Sequence, residues 1–530
     1  MSYDYVIVGA GSAGAVLAAR LSADPGVQVA LIEAGPDYRT ADTPEAIRSP
    51  NPNTAIVDPA LADYRWDTLM ARRTYVQAPR TYWRGRGVGG SSAINGQIAI
   101  RGVPEDYDGW AAAGCTGWSF AEVLPAFRRL ETDLKYGDAP YHGADGPIPI
   151  YRAPVSAWGP VDQTLAEAAL DAGYAWAADH NAPGALGVSP YAINNRDSVR
   201  VSTNDGYLEP ARGRNNLAIL GGAHVDKVLF EGSRAVGVRV RQEGAWREVR
   251  GAEVILSAGA VHSPAILMRS GVGPAAHLAE MGVAVRADLP VGEGFQDHPA
   301  MFMPIELTPA ALSPPGFRHT NACIRYSSGL AGAGPGDMMI VSMNRFGDSA
   351  GAHLAGDGRV FGLIGVWVNE CLSRGAVRLS SADPFEHPVV EENMLDDPSD
   401  LARMRDGARR LLAMRRHPAV AAIGRPTWKL SDGVGDAELD AFLLAYSGDV
   451  QHATSTCAMG DPGAATTVVD PDCRVLGLDG LRVVDASVMP SVVRANTHLT
   501  TVMIAEVMAE RLMAGRGALP GGDAGPMRKP

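Results

Sequence analysis

The chain has little cysteine. Its five cysteines in 530 residues, Cys115, Cys323, Cys371, Cys457 and Cys473, are odd in number, far apart and without a CxxC pair. That excludes a disulfide framework and suits a reducing cytoplasm, the expected location. No basic run occurs: the net charge of −12 comes from 59 acids against 47 bases spread along the chain, which excludes nucleic acid and anionic membrane as partners. No run of about 18 uncharged apolar residues is present, so no membrane-spanning helix is expected. The first apolar strand begins within a few residues of Met1, leaving no room for the charged and apolar regions of a secretory leader. No metal site is expected.

What is present is a chain too long for one core, with 46% hydrophobic residues among 530, enough to fill two or more domains. Residues 4–35, DYVIVGAGSAGAVLAARLSADPGVQVALIEAG, read without interruption as strand, glycine turn, helix and second strand ending in an acid. That is the layout of a dinucleotide site. Gly9 permits the tight turn, Gly11 lets the backbone approach a pyrophosphate, and Gly14 lets helix and strand pack closely. Ser12 and Ala13 lead into the helix, whose N-terminus faces phosphates. Glu33, nineteen residues past Gly14 and followed by Ala34, is placed to accept hydrogen bonds from an unphosphorylated adenosine ribose. A second glycine-rich stretch, GRGVGGSSAING at 85–96, can gather backbone N–H groups into a nest for an anion or a planar polar ring.

Residues 36–79 are rich in Pro and Asp and predict an extended connection. Helical spacing appears at 160–173 and 401–416. Residues 217–230 lead into GVRVRQ and then EVILSAGAVHSPAILMRSGVG, a strand, glycine turn and helix. Alternation at 337–346, 360–369 and 376–381 predicts strands of one antiparallel sheet. Residues 327–336 predict a mobile glycine-rich loop, and 517–530 a disordered tail. The segment LRVVDASVMP and the helix after it resume the opening pattern. The expected fold class is therefore α/β, α+β overall: a Rossmann-like domain from 1–155, 201–300 and 446–516, interleaved with an antiparallel-sheet domain from 156–200 and 301–445.

These segments together resemble the glucose–methanol–choline family of flavin alcohol oxidoreductases. Residues 85–95, GRGVGGSSAIN, fit the family's first signature and 259–273, GAVHSPAILMRSGVG, its second. DYDGW (106–110), HGADGPIPI (142–150), VGEGFQDH (291–298), HATSTCAMG (452–460) and VVDASVMP (483–490) are also similar. The resemblance covers nearly the whole chain and implies FAD as the dinucleotide, with the antiparallel sheet covering the flavin ring. It implies oxidation of a CH–OH group, a primary alcohol of a polar or aromatic small molecule taken to the aldehyde, with dioxygen or another electron acceptor. Within the family, WVN at 367–369 is most like the hydroxymethylfurfural oxidase and choline dehydrogenase branches. An amino-sugar or aminoglycoside hydroxyl stays open as substrate, and a hydroxynitrile-lyase-like enzyme with structural FAD is the alternative. Some relatives tether FAD through a histidine just before the signature asparagine; Ile94 holds that place here, which predicts non-covalent FAD.

Alcohol oxidation needs a hydride acceptor, a base within reach of the hydroxyl, and a donor to the oxygen. His452 falls where the family places its base. His498, three residues before the Thr501-Val502 expected to open the final helix, takes the second catalytic position, with Asn496 as its nearby competitor. Gln451, Trp367 and Asn369 are expected at the substrate pocket. The resemblance places Gly9, Gly11, Ser12, Ala13, Gly14, Glu33 and Ala34 on the ADP portion, with Val225 meeting the adenine and Ala258 among the cofactor contacts. It places Gly89, Gly90, Ser91, Asn95 and Gly96 on the pyrophosphate and ring. Asp485, Ala486, Thr497 and His498 approach from the C-terminal side, where the positive end of the last helix favours an anionic reduced flavin.

Overall fold

The computed structural model describes residues 2–314, 316–347 and 359–517; the predicted tail past Gly517 lies outside the described residues. Apolar, β-branched runs make the first sheet. YDYVIV at Tyr3–Val8 and VALI at Val29–Ile32 are buried on both faces from Tyr5 onward, as a parallel sheet covered on two sides requires. Leu217–Leu220, Val29–Ile32, Tyr3–Val8, the end of Ala245–Leu256 and Leu481–Val483 pair in parallel in that order. The long strand Ala245–Leu256 also pairs antiparallel with Arg234–Gln242, which pairs with Ala223–Glu231. Helix Gly14–Leu21 lies against the last helix, His498–Gly517, where Arg20 meets the buried Glu506 at 2.8 Å.

The second sheet runs Gly424–Pro426, Pro299–Leu307, Val360–Val368, Met338–Gly347, Ala322–Tyr326 and Gly187–Pro190, with every neighbour antiparallel. The period of two along each strand decides what each face does. Met301, Met303, Ile340, Ile364 and Val366 enter a core shared with helices Pro160–Asp171 and Pro398–Met414, each worth about 1.5–3 kcal/mol of burial. Phe302, Val341 and Trp367, on the opposite face, look toward the first sheet across a cavity.

Four expectations are corrected. Residues 376–381 do not join the second sheet: Gly375–Arg378 pairs with Glu293–Phe295 and Val389–Glu391 in a separate five-stranded sheet that also takes in Met70–Arg72. Alternation marks a strand but does not choose its neighbour. Residues 36–79 hold helices Glu45–Arg48 and Asn53–Val57 as well as that strand, rather than a plain extended connection. The 327–336 loop is pinned, with Ser328 N and Oγ donating to Asp337 and Gly334 N to Glu370. The last helix opens at His498, not Thr501.

Candidate active site

The two sheets enclose a cavity of about 470 Å³. At one end two glycine segments meet. Gly9 has φ +98°, and a Cβ there would lie 2.5 Å from the Ser257 carbonyl oxygen; a Cβ on Gly90 would lie 2.7 Å from Gly11 Cα. Glu33 ties both segments together, accepting from Ala10 N at 2.8 Å, Gly35 N at 2.9 Å and Gly87 N at 2.8 Å. Its carboxyl is therefore a clamp on the turn as well as a possible ribose acceptor, and burial raises its pKa.

Gly9, Gly11, Ser12, Ala13, Glu33 and Ala34 line this end. Gly90, Ser91, Asn95 and Gly96 line it from the second glycine segment, and Val225, Ala258, Asp485, Ala486 and Thr497 complete the wall. Gly14 and Gly89 are not on it. Gly14 packs under Gly9, and Gly89 N donates to Ala10 O at 2.8 Å, so both support the turn from behind. Asp485 anchors the second signature, accepting from Gly259 N at 2.9 Å and Ser263 Oγ at 2.6 Å. These features fit a dinucleotide. Helices Gly14–Leu21 and His498–Gly517 both begin at this cavity, and the first N–H groups of a helix lack partners of their own. The buried His262 Nε2 and His498 Nε2 find no partner among the described residues.

At the other end stands His452. Its Nδ1 lies 2.8 Å from His298 Nδ1, and His298 Nε2 lies 3.1 Å from the carbonyl oxygens of Asn369 and Val493. Burial pushes the His298 imidazole down to about 4, so it is neutral. Facing two carbonyls, it must carry its proton on Nε2, and its Nδ1 is then an acceptor. His452 therefore donates through Nδ1. Burial above all, with the nearby Arg84, holds His452 well below the usual imidazole range, so its Nε2 bears a lone pair. That nitrogen accepts from Asn496 Nδ2 at 3.0 Å, while Asn496 Oδ1 accepts from Tyr191 OH at 3.3 Å. A neutral imidazole whose ring is held by a neighbour at each nitrogen, with Nε2 as the basic one, is what a general base requires.

Asp297, His298 and His452 cluster tightly enough to suggest metal ligation. The 2.8 Å between the two Nδ1 atoms is a hydrogen bond; two nitrogens on one tetrahedral ion, with bonds of about 2.0–2.1 Å, sit more than about 3 Å apart.

His498 also lines the cavity, but its Nδ1 meets Ser12 Oγ at 3.1 Å and burial pushes it down to about 4. The sequence reading preferred His498 to Asn496 beside the base; in the structure Asn496 makes that contact and His498 meets the glycine turn. Gln451 lines the cavity with φ +67°, a left-handed conformation rare outside glycine. It is held by Asp449, which accepts from its N at 3.1 Å, and by Arg84, which donates to its Oε1 at 3.0 Å. Trp367 walls the cavity and donates through Nε1 to Asn369 Oδ1 at 3.1 Å. Asn369 itself is corrected: it is fully buried behind the wall, donating to Gly336 O and Arg494 O. Sequence reasoning assigned nothing to Asp297 or His298, although both stand in the matched VGEGFQDH segment, where an adjacent acid and imidazole were the available signal.

The GMC oxidoreductase family model matches residues 3–300 and again 372–505. The chain is 38% identical to the 5-(hydroxymethyl)furfural oxidase of Methylovorus sp. (strain MP688), over 96% of this chain and 98% of that protein. It is 36% identical to an oxygen-dependent choline dehydrogenase of Pseudomonas fluorescens (strain Pf0-1), over 98% and 94%. Its fold matches the crystal structure of pyridoxine 4-oxidase from Mesorbium loti with a TM-score of 0.86 at 30% identity, covering 97% of this chain and 99% of that one. Site and matches define an FAD-dependent oxidoreductase acting on alcohols. The chain belongs to the GMC oxidoreductase family.

Proposed function

We propose that this enzyme oxidises a primary alcohol on a flat, polar or aromatic small molecule to the aldehyde, with His452 Nε2 taking the hydroxyl proton. The observation that carries this reading is the fixed tautomer of His452, neutral, with its lone pair turned to Asn496 at the cavity. Bound FAD supplies the hydride acceptor. Asn496 holds Nε2 until the substrate hydroxyl takes its place, and its amide then donates to the substrate oxygen, while His498, held to Ser12 on the glycine turn with Nε2 unpartnered, faces the cofactor. Trp367, Phe302 and Trp83 on the cavity wall suit a flat ring, in keeping with the hydroxymethylfurfural and pyridoxine in two relatives' names. Glu33 and the glycine segments hold the ADP portion. Ile94 offers no atom for a tether, so the flavin is held non-covalently and acid precipitation should leave it in the supernatant.

An alcohol panel of furfuryl, benzyl, choline-like and aminoglycoside compounds, followed by flavin absorbance under argon and peroxide formation in air, tests the proposal. Bleaching is expected fastest with furfuryl or benzyl alcohol. A flavin that stays oxidised with every alcohol would overturn it.

A further inference from the structure

Once His452 takes the proton it becomes a buried imidazolium, and a buried charge without a counter-charge is costly. The ring hydrogen bonds offer it none. From His452 Nδ1 the path leads to His298 and ends on the carbonyl oxygens of Asn369 and Val493, with no carboxylate on it. The nearest bonded carboxylate lies beneath the backbone instead. Asp297 Oδ2 accepts from His452 N at 2.7 Å and from Tyr82 OH at 2.6 Å, and its Oδ1 accepts from His298 N at 2.7 Å.

Several charged or titratable groups surround Asp297. Arg84 lies over the Tyr82 ring at 4.5 Å. Asp449 is paired with Arg73 at 2.5 Å, and Arg73 lies 3.6 Å from Glu392, whose two carboxylate oxygens accept no hydrogen bond among the described residues. The Cys371 thiol, raised by its own burial, also feels Asp297.

Resting on the reading of His452 as base, we propose that Asp297 is the counter-charge of the reaction: its ionised carboxylate, with an oxygen within 4.8 Å of a His452 ring nitrogen, stabilises the His452 imidazolium through space. Asp297 touches neither substrate nor cofactor and is a positioning residue. The alcohol O–H bond breaks, the N–H bond forms at His452 Nε2, and no bond to Asp297 changes. Burial and the charge of Asp449 push the Asp297 carboxyl up to about 7. The counter-charge is therefore present above that pH and lost below it.

Two readouts test this. In rapid anaerobic mixing, the wild-type rate of flavin reduction should fall as pH drops through about 7. Asp297→Asn should remove that limb and leave a low plateau, about tenfold below the wild-type rate in mild alkali. In flavin-free protein, infrared difference spectra between about pH 5 and about pH 9 should show a buried carboxyl band that the same variant lacks. Tyr82→Phe removes a donor to the carboxylate and should move the limb up by about one pH unit; it decides the matter if Asp297→Asn does not fold. An unaltered limb in either folded variant overturns the proposal. A failed base reading looks different: His452→Ala would then reduce flavin normally while the infrared band persisted.

Discussion

Two buried clusters in this protein contain the same kinds of side chain and behave in opposite ways. Around His142, Glu131 lies 2.6 Å from Nδ1, Asp133 3.2 Å from the same nitrogen and Asp179 2.8 Å from Nε2. Arg101 pairs with Glu131, and Arg152 with Asp133 and Asp179, so the charges balance. Around His452, Asp297 accepts only backbone and phenol donors, and the ring nitrogens meet an imidazole and an amide. Burial pulls both histidines toward neutrality. At His142 hydrogen bonds to Asp179 and Glu131 overcome it and the pKa rises; at His452 no carboxylate bonds to the ring and the pKa falls. A histidine whose ring nitrogens bond carboxylate oxygens becomes a charged strut; one whose ring nitrogens meet only neutral groups stays neutral.

The contrast breaks first at His452. Replacing it with Ala should lower anaerobic flavin reduction by about 10²–10⁴-fold with flavin still bound; unchanged kinetics would remove it from the chemistry. His142→Leu should act on the fold instead, costing about 3–5 kcal/mol in denaturant unfolding because it strands buried carboxylates, with the reduction rate per folded molecule unchanged. The pH sign follows from the raised pKa. The His142 contribution is full below the unfolded value of about 6.5 and is lost as pH rises through the higher folded value, so the gap between wild type and variant should narrow in alkali. Gly365→Ala should crowd the Phe302 ring, which leaves no room for a Cβ there, raising KM and costing about 1–3 kcal/mol. Asn496→Ala should be mildest, about tenfold in turnover, read from the same rapid-mixing traces. If it matched the loss in His452→Ala, Asn496 would be doing more than holding Nε2 and the substrate oxygen.

The glycine turn was legible because Gly9, Gly11, Gly14 and Glu33 fall within one local strand–helix–strand unit, although the clamp of Glu33 on Gly87 was not. The strands near 337–346 and 360–369 followed from their residue pattern, which is local too. What a residue touches across the chain was not legible. His298 and His452 are 154 positions apart, and no periodicity relates them. The strand at Gly375–Arg378 was visible as a strand, yet its neighbours Glu293–Phe295 and Val389–Glu391 are set by packing. Asn369 read as a pocket residue because it was expected on the substrate sheet with Trp367. The strand ends at Val368, however, and the chain turns Asn369 inward.

The strand Leu481–Val483 completes the first sheet by pairing with Ala245–Leu256. That layer therefore closes only once residues up to Val483 have been synthesised. A product cut before Leu481 would lack both the strand beside Ala245–Leu256 and the helix His498–Gly517 whose first turn lines the cavity.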